Sequence, residues 1–242
     1  MLESITSLVL NKQRLPINID LHSHFIPEID DGCQSIEESL VLIQQMKKLG
    51  YKKLITTPHI MWHRYPNTIK IIKQALFELR GMLKVKNIDI ELDATSEYYF
   101  DEHFIGLIER KELLPFGKNY ILFELPYTTR PESLEETIIK MIELEYKPIL
   151  AHPERYRFLT SVRDYRVLKE MGLLFQINAN SLVGYYGAEV QKKSIMLGQK
   201  GMVDFIGSDI HHQKQMDSFK EAIFSNHIEM IFRNNKILND NL

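Results

Sequence analysis

The chain has 242 residues, 44% of them hydrophobic and 26% charged, with a formal net charge of -2. That length admits one substantial core, as a single α/β barrel or as two smaller domains, and the near-neutral charge lacks the basic surplus of nucleic-acid binders. The single cysteine, Cys33, excludes an internal disulfide and a cysteine-based zinc cluster, and fits a reducing, cytoplasmic location.

In chain order, residues 1–15 read as an N-terminal extension. Their short apolar run has no basic segment before it and no cleavage signal, so neither a signal peptide nor a membrane span is expected. "PINIDLH" reads as a strand. "SIEESLVLIQQMKKLG" opens with Ser35 and Glu38, a capping-box pair, and closes at Gly50, so it reads as a helix. "KKLITTPH" is a second strand, and "NTIKIIKQALFELRGMLK" a helix with apolar residues three and four apart. "IDIELDATSEYY" follows as a strand, then "DEHFIGLIERKEL" as a short helix. The alternation continues with "YILFELP", a helix with Pro131 near its start, "KPILAHPER", the helix "SVRDYRVLKEMG", "LLFQINAN", the helix "GAEVQKKSIMLGQKG" and "MVDFIGSDIHH". The remainder is helical, with a frayed tail expected over 233–242.

About seven strand–helix units, with no linker or low-complexity segment, predict an α/β fold built on a parallel sheet, and a single barrel better than two domains. The polar residues share a location in this pattern. His22, His24, His59, Glu97, Glu124, His152, Asp209 and His211 all fall at C-terminal ends of predicted strands. In a β/α barrel those ends converge on the face that carries active sites. His22 with His24, and Asp209 with His211, are two residues apart, a spacing that points both side chains one way in an extended segment. Imidazoles and carboxylates without thiolates suit Zn, Mn or Fe, and so many carboxylates at one place need cations between them. His103 and His227 lie inside helical stretches and read as structural; Asp30 and Asp31 alone would read as turn residues.

Taken as an ordered set, "DLHSHFIPEIDDG", "TTPH", "SEYY", "FELP", "AHPER" and "SDIHH" resemble the polymerase-and-histidinol-phosphatase (PHP) superfamily. Within it the chain is similar to the bacterial manganese-dependent protein-tyrosine phosphatases of capsule and exopolysaccharide synthesis. The resemblance spans Ile17 to about Lys214. It implies a distorted (β/α)7 barrel and three divalent ions, manganese foremost, with iron or zinc as alternatives. It also implies the ligands His22, His24, Asp31, His59, Glu97, Glu124, His152, Asp209 and His211, with Asp31 preferred to Asp30 by the family spacing.

Arg155 matches the family's phosphate-contacting arginine. The second basic residue usual after the last histidine is missing from "SDIHHQKQMDSF", leaving His212 or Lys214 as substitutes. The implied reaction is hydrolysis of phosphotyrosine by a hydroxide bridging the metals, on a bacterial tyrosine kinase as substrate. Tyr65, in "HIMWHRYPN", is the first of several aromatics expected to flank the substrate ring, with Trp62, Tyr98, Tyr99, Tyr127 and Tyr156. His63 and His212 lie near the position of a general acid. A cysteine-dependent tyrosine phosphatase is excluded, because the position six after Cys33 is Ser39 rather than arginine. Competing readings are a histidinol-phosphatase-like enzyme acting on a small molecule, an exonuclease, and a non-catalytic scaffold.

Overall fold

The computed structural model describes residues 17–242, so the expected N-terminal extension lies outside them. Every laddered strand pair in it is parallel. The strands are β1 (Ile19–Leu21), β2 (Lys53–Thr56), β3 (His59–Ile60), β4 (Glu91–Ala94), β5 (Glu97–Tyr99), β6 (Tyr120–Glu124), β7 (Lys147–Ala151), β8 (Leu174–Asn178) and β9 (Phe205–Gly207). They form two sheets, ordered β1-β2-β4 and β3-β5-β6-β7-β8-β9.

The expected strands ending at His59 and Tyr99 are each split in two. Pro58 offers no N–H to the ladder, and the Glu97 amide sits 3.3 Å from both the Thr57 and Pro58 carbonyls. Because β2 and β3 belong to one segment, as do β4 and β5, the seven predicted strand segments follow one another around a ring. Its last seam is a single parallel bridge, Ser23 to Ile210. There the Asp209 amide donates to the His22 carbonyl at 2.7 Å and the His24 amide to the Ile210 carbonyl at 3.0 Å. The architecture is the expected parallel α/β one, closed as two bridged sheets rather than one unbroken barrel.

Helices follow the strands: α1 (Ile36–Lys48), α2 (Ile69–Val85), α3 (Glu102–Arg110), α4 (Leu134–Glu143), α5 (Val162–Glu170), α6 (Ala188–Gln199), α7 (Gln213–Ile223) and α8 (Asn226–Asn234). The Ser35 hydroxyl caps α1 by accepting from the Glu38 amide at 3.2 Å. The Glu38 carboxylate reaches back to the Gln34 amide, one residue before the position a capping box uses. On α2 the buried residues Ile72, Leu76, Leu79 and Leu83 make one apolar stripe against the sheet.

Alternation along the strands sorts the side chains. Ile121, Phe123, Phe175 and Ile177 join the large core under the helices, whereas Leu21, Ile55, Tyr120, Leu122, Ile149, Ala151 and Phe205 make a second, smaller cluster. That smaller cluster packs the ring interior towards the strand N-termini. The inner row then turns polar: Tyr120 and Leu122 are followed by Glu124, and Leu174 by Gln176 and Asn178.

The tail expected to fray over 233–242 is instead docked below this plug. Asn239 is fully buried. Its Oδ1 accepts from the Ile206 amide at 3.0 Å, and its Nδ2 donates to the carbonyls of Ile206 and Ile19 at 2.8 and 3.1 Å. Asp240 accepts from the Asn18 amide at 2.7 Å, and Leu238 and Leu242 pack on the inner cluster. A polar, asparagine-rich composition reads as disorder, yet these amides satisfy backbone groups at the open strand ends.

Candidate metal centre

Glu97 opens β5 at the centre of the polar end, and four imidazoles surround its carboxylate. His22 Nε2 lies 3.0 Å from Oε2, His152 Nε2 3.0 Å from Oε1, and His24 Nε2 and His59 Nδ1 each 3.4 Å from Oε2. Asp209 Oδ1 stands 3.3 Å from His22 and 3.5 Å from His211 Nδ1. Glu124 Oε1 is 3.5 Å from His59, and Asp31 lies 3.5 Å from His59 and 3.6 Å from His211.

Four overlapping groups each bring their ligand atoms within 4.8 Å of one another: His24, Asp31, His59, His211; His22, Glu97, His152; His22, His24, Asp209; and His59, Glu97, Glu124. Together they contain all nine side chains singled out as ligands. Three of these residues hold left-handed backbone: His22 (φ 89°), His152 (φ 33°) and Asp209 (φ 49°). Such conformations are costly for non-glycine residues and persist where the surroundings over-determine them, often at functional sites. His22 and His24 therefore converge through a kink at the strand end, not through the straight strand that their spacing suggested.

The acidic turn divides its labour. Asp31 faces the cluster, whereas Asp30 turns behind it, 2.7 Å from His24 Nδ1, and accepts from the His59 amide at 3.0 Å. A carboxylate on the far nitrogen of a ligating histidine fixes its tautomer and leaves the other nitrogen for a cation. Gly32 makes the turn possible, since a Cβ there would lie 2.3 Å from the His24 carbonyl oxygen. Asp30→Asn is expected to weaken metal affinity by about 10- to 100-fold, the usual effect of losing such a partner. A titration of the metal-free protein followed by calorimetry would check it; unchanged affinity would remove Asp30 from this role.

Electrostatics describe a buried set of crowded, opposed charges. Burial, reinforced by the charges of Glu97 and Asp209, pushes Glu124 well above the usual carboxylate range. Burial acts on Glu97 too, but the His22 and His59 charges hold it well below that range. His24 resists burial and is held well above its ordinary value by Asp30 and Glu97. His152 and His211 are driven down to about 4, by burial first and then by the neighbouring charges of Arg155 and His24 respectively. Carboxylates this close cannot all ionise unaided. The buried His24 Nε2 and His59 Nδ1 have no hydrogen-bond partner among the described residues. Orphaned imidazole nitrogens beside crowded carboxylates, with no thiolate, fit hard or borderline divalent cations.

The cluster floors a cavity of about 630 Å³ whose walls include Arg64, Tyr65, Tyr127, Arg155 and His212. Arg155 follows His152 in a short 3-10 turn (Pro153–Arg155). Its Nη1 lies 3.1 Å from Asp209 Oδ2, and its guanidinium sits 4.7 Å from the Tyr127 ring centroid and 4.4 Å from that of Tyr186. Tyr65 stacks on His59 at 5.7 Å, and the Arg64 guanidinium lies over the Tyr65 ring at 5.0 Å. Both His63 and His212 reach the cavity; Lys214 instead lies over the Tyr185 ring and is not among the wall residues.

Two of the aromatics expected at the mouth are core residues. Tyr98 is fully buried and accepts from the Leu114 amide, and Tyr156 is fully buried with its hydroxyl on the Ala151 carbonyl. Several site residues were not foreseen. Gln176 Oε1 is 2.7 Å from His22 Nδ1, and Asn178 Nδ2 donates to Asp209 Oδ2 at 2.5 Å. Their signal was two amides at alternate positions of "FQIN", inside an apolar strand. Arg64 and Tyr186 gave no local signal.

Residues 18–227 match the family described as capsular polysaccharide synthesis, CpsB/CapC. The chain belongs to this family. It is 31% identical over 197 residues to CapC of Staphylococcus aureus, covering 80% of this chain and 76% of the relative. It is 28% identical over 198 residues to the tyrosine-protein phosphatase YwqE of Bacillus subtilis, covering 81% and 78%. A solved structure, described among those of YwqE from Bacillus subtilis and CpsB from Streptococcus pneumoniae as unique metal-dependent tyrosine phosphatases, superposes with a TM-score of 0.76. It is 25% identical and covers 90% of this CpsB/CapC-family chain and 96% of that one. No helix among the described residues is long and apolar enough to cross a membrane.

Proposed function

We propose that this CpsB/CapC-family chain hydrolyses phosphotyrosine in proteins, with a bacterial tyrosine kinase of capsule or exopolysaccharide synthesis as its cytoplasmic substrate. The nine side chains would hold three divalent cations, manganese foremost. The observation that carries the reading is the joining of four interlocked ligand groups and Arg155 at one cavity. Bound cations supply Lewis acidity, which activates water and neutralises charge on a phosphate.

The protein's own groups do the rest. The planar fork of Arg155 suits the non-bridging oxygens of a phosphate, and a donor fixed in advance stabilises the charge that grows there. His212, on the same wall, is the second phosphate contact, and Tyr65 lies along the substrate ring. A tyrosine leaving group asks little of a general acid, because phenol has a pKa of about 10. Burial of the set, all but Asp31 and the half-buried His211, keeps its carboxylates and imidazoles fixed rather than solvated.

Manganese-loaded protein is expected to release phosphate from phosphotyrosine peptides, and far more slowly from phosphoserine peptides and histidinol phosphate. Chelation should abolish the activity, and manganese should restore it. A preference for histidinol phosphate, or activity indifferent to chelation, would overturn the reading.

A further inference from the structure

Arg155 does not reach the cavity as a free side chain. Its guanidinium lies over two tyrosine rings brought by two different loops, at 4.7 Å from Tyr127, just after β6, and 4.4 Å from Tyr186, between β8 and α6. Each ring is itself anchored to the centre. The Tyr127 hydroxyl donates to Glu124 Oε2 at 3.4 Å, and the Tyr186 hydroxyl donates to Asp209 Oδ2 at 3.3 Å while accepting from Gln215 Nε2 at 3.4 Å. Gln215 Oε1 in turn accepts from the His211 amide at 2.8 Å. The Tyr186 loop is shaped by Gly184 and Gly187, both at positive φ (81° and 98°), which favours glycine at each.

We propose that Tyr127 and Tyr186 are positioning residues, which clamp the Arg155 guanidinium against their faces in the orientation that receives a phosphate group. An arginine on a long, freely rotating stem loses rotamer freedom when it binds, and a side chain already held loses less. Ring faces attract the guanidinium without using its N–H donors. Among the described residues Nη1 makes the guanidinium's one hydrogen bond, to Asp209, so its other nitrogens are left for phosphate oxygens. The rings are the working part of the clamp. This inference rests on Arg155 being the phosphate contact.

The test uses manganese-loaded protein of measured metal content, with inorganic phosphate as the probe, by calorimetry and as an inhibitor of peptide turnover. Tyr127→Leu and Tyr186→Leu are each expected to weaken phosphate binding roughly five-fold or more and to raise KM in parallel, with metal content kept. Tyr127→Phe and Tyr186→Phe, which keep the ring, should stay within about two-fold of the parent. In an Arg155→Ala background the leucine changes should add nothing, since the clamp has lost what it holds. Tyr186→Met and Tyr127→Met, bulky and without an aromatic face, stand in for a leucine variant that fails to fold.

Phosphate affinity unchanged in both leucine variants would overturn the proposal, as would an equal loss with and without Arg155. A parent protein inert towards phosphotyrosine, yet showing this pattern in phosphate binding, would refute the proposed substrate and leave the clamp standing.

Discussion

Glu97→Ala protein is expected to purify with little divalent metal and to lose more than about a hundredfold of its phosphotyrosine turnover. The reason is the position of this carboxylate. Two imidazoles lie 3.0 Å from it and two more 3.4 Å away, on segments from three different strand ends. It belongs to two of the four ligand groups, so its loss opens both. It is also the anion against which His22 is held above its ordinary pKa in spite of burial. Without it, buried imidazoles would face one another with less compensating charge, which is destabilising in low dielectric. Elemental analysis of the purified variant, alongside thermal denaturation with and without manganese, would check this. Full metal occupancy in Glu97→Ala would end its claim to the centre. His22→Ala should likewise lose metal, as it opens the group with Glu97 and His152 and the group with His24 and Asp209.

Arg155→Ala should separate chemistry from assembly. Turnover is expected to fall by about a hundredfold or more, the range for losing a transition-state donor, with metal content retained. Asp209 would keep its orientation because Asn178 and Tyr186 still donate to the same oxygen. Arg155→Lys should recover only part of the loss, because an ammonium cannot present a planar fork or lie over two rings as a guanidinium does. Steady-state kinetics paired with metal analysis would decide. Unchanged turnover would show that the phosphate sits elsewhere, and loss of metal would show that Arg155 mainly supports Asp209.

The alternation of strands and helices was legible because each segment carries its own period and punctuation, from the Ser35 cap to the glycine after α1. The grouping of the candidate histidines was legible because strand ends converge in a parallel ring, so residues far apart in sequence could be placed together. What could not be read was finer than one segment. The breaks near Pro58 and Ser96 depend on cross-strand hydrogen bonds that a single strand does not reveal. Asp30 and Asp31 are chemically alike, and a turn closed by Gly32 decides which faces the cluster. Tyr98 and Tyr99 are neighbours, but alternation sends Tyr98 into the core and leaves Tyr99 on the cavity wall. The tail misled because asparagines suit both a solvated chain and a set of backbone acceptors and donors.

Asn239 gives this ring a latch at the end opposite the chemistry. By bonding backbone groups of both Ile19 and Ile206, it tethers the first and last strands, whose seam is otherwise held by the bridge at Ser23 and Ile210 and by Ser208, which bonds the Asp20 carboxylate and the His22 carbonyl. Those two strands lead directly to His22, His24, Asp209 and His211. Loosening the latch would therefore let the seam gape and spread two of the four candidate groups, although none of its atoms belongs to them.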